Sequence, residues 1–363
     1  MTTTEAPGTI EELVGRLFGS GVGAIELCNA YLGIHLGLYR ELDQAQASAA
    51  ELARRTGCDE RYLLEWLQAQ AISGFTTADG DDPATARFAL ADGVADVFVH
   101  DTAPTYLGGL TDALAAAARV LPQLVDAYRS GASVPYAAYG RDAVTAQAAL
   151  NRPSFVNSFA VDWLPQLPDV FARLQDIDRP ARVADLGCGM GWASIELAKA
   201  FPHIRIEGRD NDEASISDGR RHAVDAGVAD RVTLDVVDIS DTSADWSPRF
   251  DFAFFIECVH DFPRPVEALR NARAAMRPGG TVLVVDERAD EVFTAPGDEV
   301  QRFFAAASAI WCLPQGRVGT DPEPVGAVIR PDRMRDLADQ AGYSGVDILA
   351  IEHPFWRFYR LEP

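Results

Sequence analysis

A glycine-rich loop that follows an apolar segment constrains this chain most. Residues 182–191 read Arg-Val-Ala-Asp-Leu-Gly-Cys-Gly-Met-Gly, a strand signal that runs into Gly187, Gly189 and Gly191. A helical pattern follows at once over 192–201. Strand, glycine loop and helix in this order predict the start of a doubly wound α/β sheet, in which ligands bind at the carboxyl ends of the strands. Glycine lets such a loop bend sharply and lets a ligand approach its backbone.

Three acidic residues surround this loop. Asp185 precedes the glycines, Asp210 lies about twenty residues beyond them after a second strand signal at 204–207, and Asp238 follows a third. An acid at the position of Asp210 can accept both hydroxyls of a ribose. The glycine spacing is G-x-G-x-G rather than the dinucleotide pattern G-x-G-x-x-G. Carboxylates would repel a pyrophosphate but attract a cofactor that carries a sulfonium and an ammonium group.

Residues 180–363 resemble class I S-adenosylmethionine-dependent methyltransferases. Besides the loop, a buried strand at 250–256 ends in Glu-Cys-Val-His-Asp-Phe, and Arg-Pro-Gly-Gly at 277–280 precedes a valine-rich fifth strand. Two adjacent strand signals, 346–351 and 356–361, match the reversed hairpin that closes such sheets. The resemblance implies a seven-stranded Rossmann-like methyltransferase sheet, an α/β fold. A nucleotide-binding sheet of another kind is the alternative.

The resemblance also implies which residues bind the cofactor, S-adenosyl-L-methionine. Asp210 is expected at the ribose, Asp238 at the adenine amino group with Ile239 against the ring, and Glu257 near the methionine end. The full set of expected cofactor-binding residues is Asp185, Gly187, Cys188, Gly189, Gly191, Asp210, Asn211, Asp238, Ile239 and Glu257. For Asp238, a solvated loop acid is the simpler interpretation.

His260 is the candidate catalytic residue. It follows the fourth strand, beside Asp261, in the loop where this family often has a His-Asp pair facing the substrate. A phenol that accepts a methyl group must lose its proton, and histidine can remove it near neutral pH. Many methyltransferases carry a histidine here that only packs or orients, so that role stays open.

The first half of the chain is predicted to be mainly helical. Apolar residues repeat over 9–42, where Gly19, Gly21 and Gly23 predict a break into two helices. A capping-box helix, a second helix at 60–73 and a hairpin that ends near residue 90 form a winged-helix pattern. The second helix carries more acidic than basic residues, which argues against DNA binding.

This half resembles the dimerisation domain of small-molecule O-methyltransferases of the plant and actinobacterial type. The resemblance implies a winged-helix dimerisation domain at 1–100, a helical connector at 101–178 that lines the active site, and a methyltransferase domain at 179–363. A homodimer is expected; a helical cap without a partner is the alternative. An insert at 288–330 is expected to shape the substrate site.

Composition limits the remaining possibilities. The net charge of −22 argues against nucleic acid or an anionic membrane as a partner. Five scattered cysteines form no C-x-x-C pair, which indicates thiols in a reducing cytoplasm and no metal site. No apolar run is expected to reach the length of a membrane span, and residues 1–8 lack the apolar core of a signal peptide.

The sequence therefore predicts a cytoplasmic enzyme that methylates a small, aromatic or hydroxylated metabolite, preferably on oxygen. Two alternatives remain. The same fold can methylate nitrogen, carbon or sulfur, where no base is needed. The chain can also be a non-methylating enzyme that binds the same cofactor, or a winged-helix regulator.

Overall fold

The computed structural model describes residues 8–319 and 321–363, which form two compact units. The first unit contains the described residues up to Ala118 together with Gly140–Ser154, and the second contains Arg119–Tyr139 together with Phe155–Pro363. The segment predicted as a connector, 101–178, contributes to both units. The three predicted domain boundaries stay predictions.

Short helices and one small hairpin build the first unit. Its elements are α1 (Ile10–His35), α2 (Leu38–Gln44), α3 (Ala49–Thr56), α4 (Glu60–Ile72), β1 (Thr76–Ala78), β2 (Phe88–Leu90) and α5 (Val94–Phe98). Ser48 and Glu51 form the predicted capping box of α3, and Asp59 caps α4. β1 and β2 pair antiparallel. The predicted order of helix, turn, helix and hairpin is confirmed.

Helix α1 corrects two predictions. It is one continuous helix of 26 residues, so Gly19, Gly21 and Gly23 do not break it. Each glycine costs a helix only about 1 kcal/mol relative to alanine, and a capping box at Thr9 and Glu12 stabilises the first turn. By length and composition alone, α1 is also apolar enough to cross a membrane, contrary to the expectation that no run reaches that length.

Helical segments connect the hairpin region to the sheet. They are α6 (Gly109–Ser130), α7 (Tyr136–Tyr139), α8 (Arg141–Ser154), a π-helix (Phe155–Trp163), a 3-10 turn (Leu164–Gln166) and α9 (Pro168–Gln175). The aromatic rings of the π-helix are core residues: Phe159 is fully buried, with its ring centroid 5.1 Å from that of Phe254. For these rings, the structure favours packing in the core over lining the active site.

A seven-stranded sheet dominates the second unit. Its strands are β3 (Arg182–Leu186), β4 (Arg205–Asp210), β5 (Val232–Val236), β6 (Phe250–Ile256), β7 (Met276–Glu287), β8 (Gly345–Ile348) and β9 (Trp356–Glu362). The strand order is β5-β4-β3-β6-β7-β9-β8. Of these seven strands, β9 runs antiparallel to both of its neighbours, β7 and β8, and the other neighbouring pairs are parallel. The predicted sheet and its reversed closing hairpin are confirmed.

Helices cover both faces of this sheet, each over its own apolar core. The remaining elements are α10 (Trp192–Ala200), α11 (Glu213–Asp225), a 3-10 turn (Val259–Asp261), α12 (Pro265–Ala274), α13 (Glu299–Ala307), a π-turn (Ser308–Cys312), α14 (Leu313–Gly316) and α15 (Pro331–Ala341). The predicted insert at 288–330 contains three consecutive helical segments, 299–316, between irregular ends. Strands β3 to β7 end at one edge, where their loops meet.

Candidate active site

The glycine loop is fixed to the end of β4 by its backbone. The amides of Gly187 and Cys188 donate to the carbonyl of Arg209, at 2.8 and 3.1 Å. Gly187 has a φ of 81°, and a Cβ atom there would lie 2.6 Å from the sulfur of Cys258, so only glycine fits. Gly189 also has a positive φ, 49°, but a Cβ there would meet nothing within 4 Å. The loop is therefore packed at its start and open at its middle, as a ligand requires.

Asp210 closes the opposite side of this loop. Its Oδ2 accepts the amide of Gly189 at 2.9 Å, and its Oδ1 accepts the amide of Asp212 at 2.9 Å. Burial raises the pKa of this carboxyl group, although the two amides oppose the rise. The structure thus places the acid predicted for the ribose within hydrogen-bond distance of the glycine loop.

Asp185 is a second acid beside the first. It is 3% exposed, and its Oδ2 accepts the hydroxyl of Ser194 at 2.7 Å. Burial, with the nearby Asp210 carboxylate adding to it, raises the pKa of Asp185 to about 7. Among residues 8–319 and 321–363, neither acid forms an ion pair with a basic side chain. A buried and a half-buried acid, neither paired with a cation in the described residues, suit a ligand that supplies one.

The other predicted cofactor residues follow the neighbouring strand ends. The Oδ1 of Asp238, just beyond β5, accepts the amide of Ser240 at 2.8 Å, and Ile239 is buried. Asn211 follows Asp210 and is exposed. Glu257, at the end of β6, has a φ of 54°, which is rare for a residue other than glycine. Such strain is typical of functional positions.

His260 lies at the same edge, held by acids that the sequence reasoning did not assign to the site. Its Nδ1 lies 2.7 Å from Oδ1 of Asp286 and 2.8 Å from Oε2 of Glu287. Its Nε2 lies 3.4 Å from Oδ1 of Asp261. The histidine is 3% exposed. The signal was available, since Asp286 and Glu287 end a strand whose carboxyl end meets the other loops.

These acids decide the charge of the ring. Burial lowers the pKa of His260, but the carboxylates of Glu287, Asp286 and Asp261 together raise it well above the usual value. Burial raises the pKa of Glu287, whereas the charged histidine holds that of Asp286 down. Nδ1 therefore keeps its proton toward Asp286 and Glu287. Nε2 is the nitrogen that can exchange a proton.

Donor atoms around His260 also form two groups that could hold a metal ion. One group is His260, Asp261 and Cys312; the other is His260, Asp286 and Glu287. Within each group, the donor atoms lie within 4.8 Å of one another. Nitrogen, carboxylate oxygen and thiolate are all common metal ligands. The absence of a metal stays a prediction, which the chelator test below addresses.

Tyr136 joins the cofactor acids to the His260 loop. Burial raises the pKa of its phenol, and the carboxylates of Asp210, Asp261 and Asp212 add to the rise. An electrostatic influence of Asp210 and Asp261 on one side chain indicates that the phenol lies near both loops. Tyr136 is thus an aromatic residue of the helical connector that is influenced by acids of both loops, and Asp261 also raises the pKa of the nearby Tyr139.

Comparison with known proteins agrees with this geometry. Residues 177–323 match the family described as "Methyltransferase domain", and residues 25–98 match the "Rv2258c-like winged HTH domain". The mitomycin biosynthesis 6-O-methyltransferase of Streptomyces lavendulae is 27% identical over 303 residues, 80% of this chain and 82% of that protein. The ubiquinone biosynthesis O-methyltransferase of Pseudomonas aeruginosa is 22% identical over 207 residues, 57% of this chain and 80% of that protein.

Solved structures share the whole fold. PigF with SAH superposes with a TM-score of 0.71 at 20% identity, covering 98% of this chain and 100% of that one. Human N-acetylserotonin methyltransferase in complex with SAM gives 0.68 at 15% identity, covering 100% and 99%. The mitomycin 7-O-methyltransferase MmcR gives 0.67 at 20% identity, covering 97% and 98%. The chain is a methyltransferase that uses S-adenosylmethionine, with its methyltransferase domain preceded by an Rv2258c-like winged helix-turn-helix domain.

Proposed function

We propose that the protein methylates a hydroxyl oxygen of a small aromatic or hydroxylated metabolite, with His260 as general base. The observation that carries this proposal is the pairing of Nδ1 with Asp286 and Glu287, at 2.7 and 2.8 Å. Two carboxylates on one nitrogen fix the tautomer and direct the other nitrogen, Nε2, toward the proton it removes. Nitrogen or sulfur acceptors do not need such a device.

The glycine loop and the strand ends would hold the cofactor, which supplies a methyl group already activated on a sulfonium. The protein then mainly positions the reactants. Asp210 would accept the ribose hydroxyls, Asp238 would accept the adenine amino group, and Ile239 would pack on the ring. Asp185 and Glu257 would attract the cationic methionine end. The other residues we assign to cofactor binding are Gly187, Cys188, Gly189, Gly191 and Asn211.

The base works through a proton that moves to Nε2 of His260. The acceptor hydroxyl would give up this proton as its oxygen bonds the methyl carbon, while the carbon–sulfur bond breaks and leaves a neutral thioether. The imidazolium that results would be stabilised by the buried carboxylate of Asp286, through a charge-assisted hydrogen bond. The surrounding acids raise the pKa of His260, so the neutral ring that can accept a proton becomes more abundant as the pH rises.

Relatives support oxygen as the acceptor. The relatives include O-methyltransferases of mitomycin and ubiquinone biosynthesis. Both act, by name, in the biosynthesis of small molecules. We therefore propose a small-molecule hydroxyl as the acceptor class.

The test is an acceptor panel of matched molecules that differ only in the acceptor heteroatom: a phenol, the corresponding aniline and the corresponding thiophenol. Each is incubated with S-adenosylmethionine, and mass spectrometry locates the added methyl group. We expect oxygen methylation, with and without a chelator. Methylation of nitrogen, carbon or sulfur alone would overturn the proposal, as would cofactor binding with no transfer to any acceptor. Activity that a chelator abolishes and a divalent cation restores would make the His260 cluster a metal site.

We also propose that the protein is a cytoplasmic homodimer that pairs through its first ~100 residues. Apolar side chains on one stripe of α1 are exposed: Ile10, Val14, Leu17, Phe18 and Ile25. Exposed apolar patches of this kind mark interaction sites. On α4, Arg61 forms an ion pair with Glu65 at 2.7 Å. This pair neutralises an arginine that a phosphate contact would need. We therefore propose no nucleic acid or membrane partner.

A further inference from the structure

A cavity opens between the end of β7 and the loop that joins β8 to β9. Its volume is about 620 Å³. Its walls are Arg288, Trp356, Arg357, Ile348 at the end of β8, and the loop residues Leu349, Ala350, Ile351, Glu352, His353 and Pro354. None of the residues that we assign to the cofactor or to proton transfer lines it. Cavities of this size hold small organic ligands.

Two arginines of the lining have guanidinium groups available for a ligand. Nη1 of Arg288 donates to the carbonyl of His353 at 3.0 Å, and Nη1 of Arg357 donates to the carbonyl of Ala289 at 2.7 Å. In the described part of the chain, neither forms an ion pair with a carboxylate. With one acid in the lining, Glu352, cations outnumber acids two to one in a chain of net charge −22. The geometry favours an anionic group.

His353 adds a neutral donor and part of a flat wall. Its Nδ1 accepts the amides of Phe355 and Trp356, at 3.3 and 3.1 Å, so the proton of the neutral ring is on Nε2. Burial, with Arg288 nearby, lowers the pKa of His353 to about 4. The ring stacks on that of Trp356, with centroids 4.5 Å apart and planes within 8°. The cavity thus combines cations with a rigid aromatic surface.

We propose that this cavity is a second ligand site, which takes a small planar aromatic carboxylate. The carboxylate would bind Arg288 and Arg357, whose fork of donors matches two oxygens. The aromatic ring would lie among Trp356, His353 and the aliphatic loop side chains, as flat rings do in apolar clefts.

The position of the site links it to the methyl-transfer centre without sharing residues with it. Arg288 directly follows Asp286 and Glu287, which hold His260, and its amide donates to the carbonyl of Phe355 at 2.7 Å. A ligand on Arg288 would therefore restrain the segment that carries both partners of the base. The proposal does not depend on the identity of the methyl acceptor.

The test uses 4-fluorobenzoate and its neutral counterpart, 4-fluorobenzamide, followed by fluorine NMR of the ligand against the full-length protein. We expect the benzoate to bind in the millimolar range or tighter and the amide at least about tenfold more weakly, because the amide cannot form the charged pair. Arg288→Gln should weaken benzoate binding at least about tenfold. Arg335→Gln, at an exposed arginine paired with Asp332, is the matched control and should change nothing.

Three results would overturn the proposal: equal binding of benzoate and benzamide, unchanged benzoate binding in both Arg288→Gln and Arg357→Gln, or no binding by the wild type. Arg288 is exposed, so its variant is expected to fold. The titration is repeated with saturating S-adenosylhomocysteine and with His260→Ala. Loss of benzoate binding in either case would place the ligand in the methyl-transfer site instead and would also overturn the proposal, whereas a smaller change is the coupling expected through Arg288.

Discussion

The carboxyl edge of the sheet and helix α1 break the usual rule of burial in opposite ways. At the edge, Asp185, Asp286 and Glu287 are all less than 5% exposed. On α1, Ile10 is 77% exposed and Phe18 is 75% exposed. One region buries charge, and the other exposes apolar surface.

Each departure costs stability in the isolated chain, and each therefore points to something the chain binds. Buried carboxylates are stabilised by a cation or a proton donor, which a sulfonium cofactor and His260 can supply. Exposed apolar side chains are stabilised by a second surface. The comparison teaches that the edge is organised for chemistry, and it agrees with our proposal that α1 serves association.

The largest expected effect comes from His260→Ala. We expect turnover to fall by roughly 10²–10⁴-fold, the usual worth of a general base, and cofactor affinity to stay nearly unchanged. Raising the pH should partly rescue the variant, because a pre-ionised phenol needs no base. Steady-state kinetics across pH, with calorimetry of S-adenosylmethionine binding, measure both.

His203→Ala is the matched control, since His203 is exposed and precedes β4, at the edge of the sheet opposite the site. Near wild-type turnover in His260→Ala would reduce the residue to a packing or orienting role. Loss of cofactor binding as well would make it structural, and the base would then be sought in Glu257 or in the insert at 288–330.

The second expected effect is the pH dependence of stability that Asp185 causes. Its folded pKa, about 7, lies above the unfolded value, so the folded state holds the proton more tightly. Its stabilising contribution is complete below the unfolded pKa and is lost as pH rises through the folded pKa. A shift of one pKa unit corresponds to about 1.36 kcal/mol. The free energy of unfolding of the wild-type protein without cofactor should therefore fall by roughly 2–4 kcal/mol between pH 4 and pH 7. Asp185→Asn should not show this fall. Urea unfolding at fixed protein concentration measures this difference.

At the carboxyl edge, the sequence predicted the glycine loop and the strand ends, but it did not predict the acidic partners of His260. Gly187 and Asp210 were found because loop geometry and ribose recognition restrict residue type at fixed spacing. Asp286 and Glu287 were not assigned to the site. Their role depends on a contact with His260 between the ends of two neighbouring strands. His260 and Asp286 are 26 residues apart in the chain, so local patterns do not show the contact.

Helix α1 was the harder region to predict, for a physical reason. Three glycines in five residues, at 19, 21 and 23, indicate a break by local propensity. Propensity is a weak bias when apolar residues and a good cap favour one long helix. The cavity beside Arg288 left no sequence signal, because it depends on the path of the 349–355 loop.

A third, smaller effect is expected at Asp210. Asp210→Ala should weaken S-adenosylmethionine binding by about 10–100-fold, because a half-buried carboxylate that accepts hydroxyls contributes roughly the worth of one or two charge-assisted hydrogen bonds. Asp225→Ala, at an exposed acid on α11, should leave the affinity unchanged. Calorimetry compares the two. Wild-type affinity in Asp210→Ala would mean that Asp210 does not contribute to cofactor binding. The explanation of the acids at the edge by a bound cation, and with it the contrast with α1, would then fail.

The smallest effect, a twofold change in mass, tests the role of α1. Light scattering at low micromolar concentration should give about twice 39.3 kDa for the wild type. Phe18→Glu should halve that mass, because its ring is exposed on the apolar stripe and a charge there opposes burial.

Arg16→Gln, at a polar position of the same helix, should leave the dimer intact. Circular dichroism should show equal helix content in all three proteins, since neither side chain is buried in the chain. A monomeric wild type that floats with lipid vesicles would instead assign α1 to a membrane, in line with its length and composition. A monomeric wild type that stays in solution would contradict the proposal, because Phe18, which is 75% exposed, would then have no surface to pack against. The contrast between α1 and the edge would fail.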